Sequence, residues 1–165
     1  MNEPENINGI SAVIVAAGRG TRAGGTEPKQ WQRIAGKTVL DHSIEAFQRH
    51  DRIGQIIVVL HPDDIPMQAP ALKARGIEIA EGGAERSVSV ANGLALLPAS
   101  GKVLIHDAAR CCVPRAVVDA VIAALDVAPA AAPGLAVTDA LWQADAGQVT
   151  GLQDRSGLFV AQTPQ

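Results

Sequence analysis

Continuous apolar runs alternate with helical stripes along most of this chain. Ala12–Ala16 is apolar throughout and predicts a buried strand. Val39–His50 carries Leu40, Ile44 and Phe47 at helical spacing. Gln55–Leu60 predicts a second buried strand, Pro66–Arg75 a short helix closed by Gly76, and Ile77–Ala80 a short strand. Arg86–Leu97 follows Gly82-Gly83 and predicts a helix with Val90, Leu94 and Leu97 on one face. Lys102–His106 predicts another strand. Arg115–Leu125, opened by Pro114, predicts a helix burying Val117, Val118, Val121, Ile122 and Leu125.

This βαβα order predicts an α/β fold: a Rossmann-like, open, mainly parallel twisted sheet with helices on both faces. Ligands of such sheets bind beyond the carboxyl ends of the strands. Ala17–Arg22, Gly82–Ser89 and Asp107–Arg110 are expected there. The pattern changes after Ala130, where Pro129, Pro133 and Gly134 break the helix. Ala136–Gln143 and Gln148–Gln153 flank Asp145-Ala146-Gly147 and predict a hairpin. Residues 136–156 are expected to project as a β-arm, with Leu158–Ala161 returning to the sheet. No internal repeat is evident, and the length predicts one domain over residues 1–165.

Composition narrows the partners. Aromatic residues are 2% of the chain, so the core must be built from Val, Ile, Leu and Ala, and the scarcity argues against base-stacking platforms for single-stranded nucleic acid. The net charge of −3 provides no bulk field for a polynucleotide. A bound polyanion must be small and met by a local basic cluster. No apolar stretch is long enough for a membrane span, and residues 1–9 do not resemble a signal peptide. The only cysteines, Cys111 and Cys112, are adjacent, which argues against a disulfide framework and for the cytoplasm. Adjacent cysteines beside His106 lack zinc-chelating spacing.

The candidate chemistry begins where the first strand empties into Ala16-Ala17-Gly18-Arg19-Gly20-Thr21-Arg22, followed by Pro28-Lys29-Gln30. Small residues let backbone N–H groups approach phosphate oxygens, and Arg19, Arg22 and Lys29 can add charge-assisted bonds. Two phosphate motifs match only by letter. Gly18-x-Gly20-x-x-Ala23 fits a dinucleotide fingerprint, but Gly24, Gly25 and Pro28 prevent the helix that motif must open. Gly36-Lys37-Thr38 resembles the end of a P-loop, but Trp31 stands where its first glycine belongs.

The Ala16–Arg22 and Pro28–Gln30 segments resemble the signature of the sugar-phosphate nucleotidyltransferases. Gly82–Ser89, His106–Arg110, Asp154-Arg155-x-Gly157-Leu158 and Gln162–Gln165 extend the resemblance, in order, to the methylerythritol phosphate cytidylyltransferase family. The resemblance implies transfer of CMP from CTP to 2-C-methyl-D-erythritol 4-phosphate with release of pyrophosphate, in isoprenoid precursor synthesis. It implies Arg22 and Lys29 as catalytic residues. Ala16, Ala17, Gly18, Arg19, Gly20, Gly82, Gly83, Arg86, Ser89, Asp107 and Ala108 are implied as nucleotide-binding. Arg110, Asp139, Arg155 and Thr163 are implied on the acceptor side, and Asp107 as the Mg²⁺ ligand. In the family the arginine matching Arg155 comes from a partner's arm, which implies a homodimer with shared sites.

The chain departs from the family pattern in two places. Asp139-Ala140-Leu141-Trp142 lacks the family's threonine and lysine, and resembles the subgroup fused to a second pathway enzyme. The family also continues past Gln165 into a segment with a second metal aspartate and a substrate lysine. The chain is therefore expected to be a fragment that binds CTP weakly and turns over poorly or not at all. The alternatives are a cytidylyltransferase for another polyol phosphate such as ribitol 5-phosphate, a guanylyltransferase of molybdenum-cofactor assembly, and a non-catalytic nucleotide-binding or scaffold fragment.

Overall fold

A computed structural model describes residues 9–20, 27–99 and 101–165. Arg22 lies outside the described residues. β1 (Ile10–Ala16) leads through a small hairpin, β2 (Arg33–Ile34) and β3 (Lys37–Thr38), into helix α1 (Val39–Gln48). β4 (Gln55–Leu60), α2 (Ile65–Lys73), β5 (Glu78–Glu81), α3 (Arg86–Leu94), β6 (Lys102–Asp107) and α4 (Arg115–Ala124) follow. These elements match the expected ones closely. The hairpin explains the false P-loop: Ala35 and Gly36 have positive φ in its turn, and Thr38 caps α1. The Thr38 hydroxyl accepts from the Asp41 N–H, and the Asp41 carboxylate accepts from the Thr38 N–H.

The central sheet has the order β5-β4-β1-β6, with every pair parallel. The α/β expectation is therefore met. Successive side chains of β1 point to opposite faces, and both faces are buried. Ala12, Ile14 and Ala16 pack with Leu40, Ile44 and Phe47 of α1 and with Val118, Val121 and Ile122 of α4. Val13 packs on the other face with Ile57, Val59 and Ala80, beneath α3. The chain winds outward from β1 through β4 to β5, then returns to place β6 on the opposite side of β1. The strand order thus reverses at β1, and sheets of this kind carry their ligand crevice at the carboxyl end of such a switch point.

Three expectations need correction. Helix α3 ends at Leu94, and Leu94 is exposed. The buried positions are Ser89 and Gly93, because a Cβ on Gly93 would stand 2.6 Å from Val13 Cγ1 and 3.0 Å from Val59 Cγ2. The helix lies so close to the sheet that only its small-residue face fits. Next, Ala136–Gln143 is not one strand. β7 (Gly134–Ala136) pairs with β10 (Phe159–Ala161), while β8 (Leu141–Asp145) pairs with β9 (Gln148–Gln153). The turn expected at Asp145–Gly147 is present, with Ala146 and Gly147 at positive φ. Finally, Leu158–Ala161 does not rejoin the central sheet. Gln165 does, exchanging backbone hydrogen bonds of 2.8 and 2.9 Å with Ile105 on the outer edge of β6.

Candidate active site

Residues 17–20 leave β1 as an irregular loop. The side chain of buried Gln30 ties this loop from inside, its Nε2 donating to the carbonyls of Ala16 at 2.9 Å and Gly18 at 3.0 Å. In a trans peptide the N–H points opposite to the C=O. The N–H groups of Ala17 and Arg19 are thereby turned away from Gln30. None of the N–H groups of residues 17–20 bonds to a described residue. A set of free backbone donors at the end of a parallel strand can cradle an anion such as a polyphosphate. Gly20 has φ +65°, and an added Cβ would lie 3.7 Å from Lys29 Cγ, so the lysine stem runs beside the loop. The Lys29 side chain is exposed, and its ammonium makes no ion pair or hydrogen bond with a described residue.

Gly82 and Gly83 are dictated by space. A Cβ on Gly82 would stand 2.2 Å from Ala17 Cβ, and one on Gly83 would stand 2.3 Å from Val88 Cγ1. The loop before α3 therefore packs directly against the end of β1. Ser89 is buried, accepts from the Gly83 N–H at 3.0 Å and donates to the Glu85 carbonyl. Its hydroxyl is used in holding the glycine loop.

Asp107 ends β6 with its carboxylate between two guanidinium groups. Arg86 Nε reaches Oδ1 at 2.9 Å, and Arg110 Nε lies 3.5 Å from Oδ2. Arg110 also donates to the Gln162 side chain. Ala108 is buried, its N–H bonded to the Val15 carbonyl and its own carbonyl to Ser43. Beneath them lies His106, fully buried against Phe47. Its Nε2 lies 3.2 Å from the Arg110 carbonyl, which can only accept, so Nε2 carries the proton. Nδ1 then accepts from the Thr163 hydroxyl at 3.0 Å, and the Asp107 N–H donates to the same hydroxyl oxygen at 3.4 Å. Burial pushes the His106 pKa down to about 4, so the ring is neutral. Thr163 is thus an internal strut in this structure rather than a residue facing the crevice.

Arg19, expected among the nucleotide-binding residues, is engaged by carboxylates in this structure. Its guanidinium pairs with Asp63 at 2.8 Å and Asp64 at 3.0 Å, in the turn after β4. Asp139 and Arg155 belong to the region between β7 and β10. Arg155 donates to the Thr138 carbonyl, and no described bond links either residue to the glycine loop. Sequence reasoning quoted Gln30 without giving it a role, and missed Asp64 and the structural role of His106. A histidine inside an apolar strand was the available signal for the last.

Open parallel sheet, anion loop, free lysine and a carboxylate at the switch point together define an α/β nucleotidyltransferase domain. Residues 10–165 match the family model described as 2-C-methyl-D-erythritol 4-phosphate cytidylyltransferase. The chain belongs to that family. It is 55% identical over 159 residues to the 2-C-methyl-D-erythritol 4-phosphate cytidylyltransferase of Roseobacter denitrificans, covering 94% of this chain and 71% of the relative. It is 52% identical to the bifunctional enzyme IspD/IspF of Rhodobacter capsulatus, covering 94% of this chain and 41% of that one. A crystal structure of 4-diphosphocytidyl-2C-methyl-D-erythritol synthase superposes with a TM-score of 0.79 at 34% identity, covering 94% of this chain and 72% of that chain. The Thermus thermophilus cytidylyltransferase gives a TM-score of 0.72 at 32% identity, covering 93% and 68%.

Proposed function

We propose that this protein transfers CMP from CTP to 2-C-methyl-D-erythritol 4-phosphate, giving CDP-methylerythritol and pyrophosphate. The observation that carries the reading is the set of free N–H donors at residues 17–20 beside an unpaired Lys29, in a chain of this family. An oxygen of the acceptor phosphate attacks the α-phosphorus of CTP. A new P–O bond forms as the bond from the α-phosphorus to the bridging oxygen breaks, and that oxygen leaves with pyrophosphate. The protein's work is positioning and charge stabilisation. The 17–20 amides hold the triphosphate, and Lys29 faces the charge that builds on the leaving oxygens. Arg22 is assigned to the same charge by the family motif. Arg86 and the Gly82-Gly83 loop are assigned to the nucleoside end.

A hard divalent cation fits the donor set. Asp107 offers a partly exposed carboxylate at the end of β6, and Mg²⁺ is held by one or two carboxylates plus phosphate oxygens. When bound, Mg²⁺ supplies neutralisation of phosphate charge. Arg86 and Arg110, now paired with Asp107, would then turn to ligand oxygens.

Arg110, Asp139 and Arg155 are assigned to the acceptor, with Arg155 delivered by the hairpin of a second copy. The exposed apolar face of β8 and β9, with Trp142 opposite Leu152 and Ala144 opposite Val149, supports such a pairing surface. A cytoplasmic location completes the reading; among the described residues no helix is long and apolar enough to cross a membrane.

Calorimetric titration with CTP and Mg²⁺, then CMP transfer to a panel of polyol phosphates, tests the proposal. Binding of CTP, weak in this chain, is expected, with whatever transfer occurs directed to methylerythritol phosphate. Transfer to ribitol 5-phosphate alone would overturn the acceptor, and absence of CTP binding would leave a scaffold role.

A further inference from the structure

Asp64 is a hub that no part of the proposed reaction uses. It ends the turn Pro62–Asp64 that leads from β4 into α2, and its side chain is 15% exposed. Its two oxygens are spent separately. Oδ1 accepts from Arg19 Nη1 at 3.0 Å, and Oδ2 accepts from the indole Nε1 of Trp31 at 3.0 Å. Arg19 is held further by Asp63 at 2.8 Å and by His61 Nδ1. Trp31 sits half-buried against the core, two residues after Lys29 and in the same short 3-10 turn, Lys29–Trp31. One carboxylate therefore ties together the glycine loop, the turn after β4 and the turn bearing Lys29.

We propose that Asp64 is a positioning residue: it holds Arg19 as a strut for the glycine loop, not as a phosphate ligand, and through Trp31 it orients Lys29. The inference rests on residues 17–20 taking the triphosphate of CTP. A guanidinium already engaged by two carboxylates and an imidazole has few donors left for phosphate. Moving it to the triphosphate would strip Asp64 of its charged partner while that carboxylate stays largely buried. The strut instead fixes the loop through a side chain and leaves its N–H groups free. Pre-set donors lose little freedom when the anion arrives.

The arrangement predicts the sign of a substitution effect. Asp64→Asn keeps the shape and an acceptor for Trp31 but removes the charge that holds Arg19. If Asp64 positions the loop, CTP binds more weakly, by about tenfold for a lost charge-assisted bond. If Asp64 merely sequesters Arg19, the freed guanidinium reaches the triphosphate and CTP binds more tightly.

The experiment is calorimetric titration of CTP with Mg²⁺ into wild type, Asp64→Asn, Arg19→Ala and the double variant, with melting curves to verify folding. Weaker binding in both single variants, with no further loss in the double variant, is expected. Tighter binding in Asp64→Asn, or additive losses in the double variant, overturns the proposal. Trp31→Phe keeps the ring packing and loses only the N–H donor. Its expected signature is turnover lowered several-fold with CTP affinity near wild type, a split that loss of stability alone would not produce. Unchanged turnover in a folded Trp31→Phe protein overturns the Lys29 part. If Asp64→Asn does not fold, Arg19→Ala and Trp31→Phe carry the test. Wild type that fails to bind CTP overturns the functional reading as well, whereas wild-type binding with unaffected variants overturns this inference alone.

Discussion

The crevice end of the central sheet and the β8–β9 hairpin are built by opposite rules. At the crevice, side chains from distant parts of the chain are spent on one another. Gln30 holds the carbonyls of the loop, Gly82 packs on Ala17, and Thr163 props His106 under Asp107. What remains unpaired there among the described residues is a cation, Lys29, and a row of N–H groups. In the hairpin the strands pair with each other alone, and large apolar side chains are left uncovered: Trp142 is 66% and Leu152 75% exposed. The crevice leaves charge and polar donors open, whereas the hairpin leaves apolar surface open. Unsatisfied groups of a different kind thus mark each region for a different kind of partner.

The sharpest way to break this contrast is at Lys29. If its charge acts mainly on the transition state, Lys29→Ala lowers kcat about a hundredfold or more while CTP affinity changes little. Steady-state kinetics beside calorimetry read the two separately, and equal losses in both would reduce Lys29 to a binding residue.

A second contrast is in pH. Burial holds the His106 pKa at about 4 in the folded protein, against an ordinary value of 6.5. Between these values the unfolded chain carries a proton that folded His106 does not, so stability rises with pH across the window and is lost on acidification. The loss attributable to this group is on the order of 3 kcal/mol at the acid end. Denaturant unfolding from pH 7 to 4 should show a shallower decline in His106→Gln than in wild type. Parallel curves would mean that the buried crevice network does not set the acid sensitivity.

Next in size is Gly82→Ala. The added methyl has no room beside Ala17, and overpacking of this kind costs about 1–3 kcal/mol. Unfolding curves should register the loss, with weaker CTP binding because the end of β1 must shift. An unaffected variant would show that the loops at the crevice are loosely coupled.

The smallest effect on folding is expected in the hairpin. Replacing Trp142 and Leu152 by serine should change the stability of a single chain by less than about 0.5 kcal/mol, since neither side chain packs in the core. The same variant should shift sedimentation from two chains toward one. Mixing inactive Lys29→Ala and Arg155→Ala proteins sharpens the point, because partial recovery of activity requires that each site draw on two chains. A wild type that sediments as a monomer would remove the proposed role of the hairpin.

Much of the fold was legible in the chain. Continuous apolar strands, helical stripes and the Asp145–Gly147 turn depend on residues close in sequence, and each lies within a few positions of its expected place. The errors came where neighbours across space decided. Leu94 looked like a core residue by spacing, but the closeness of α3 to Val13 and Val59 selected Gly93 instead. Ala136–Gln143 read as one strand because its apolar pattern is continuous, yet two different partners divide it between β7 and β8.

The candidate site shows the same division. Sequence alone determined that a small-residue loop leaves the first strand, that basic residues accompany it, and that Asp107 ends a later strand. The reason is local: backbone freedom and strand length are properties of adjacent residues. Only the tertiary structure decided which of those groups are free to act. Arg19 and Lys29 are equivalent cations on paper, but the crossover from β4 to β5 brings Asp63 and Asp64 to Arg19 and brings no carboxylate to Lys29. A charge becomes available or occupied according to which loops the sheet order places side by side, and that order is fixed by packing the whole chain.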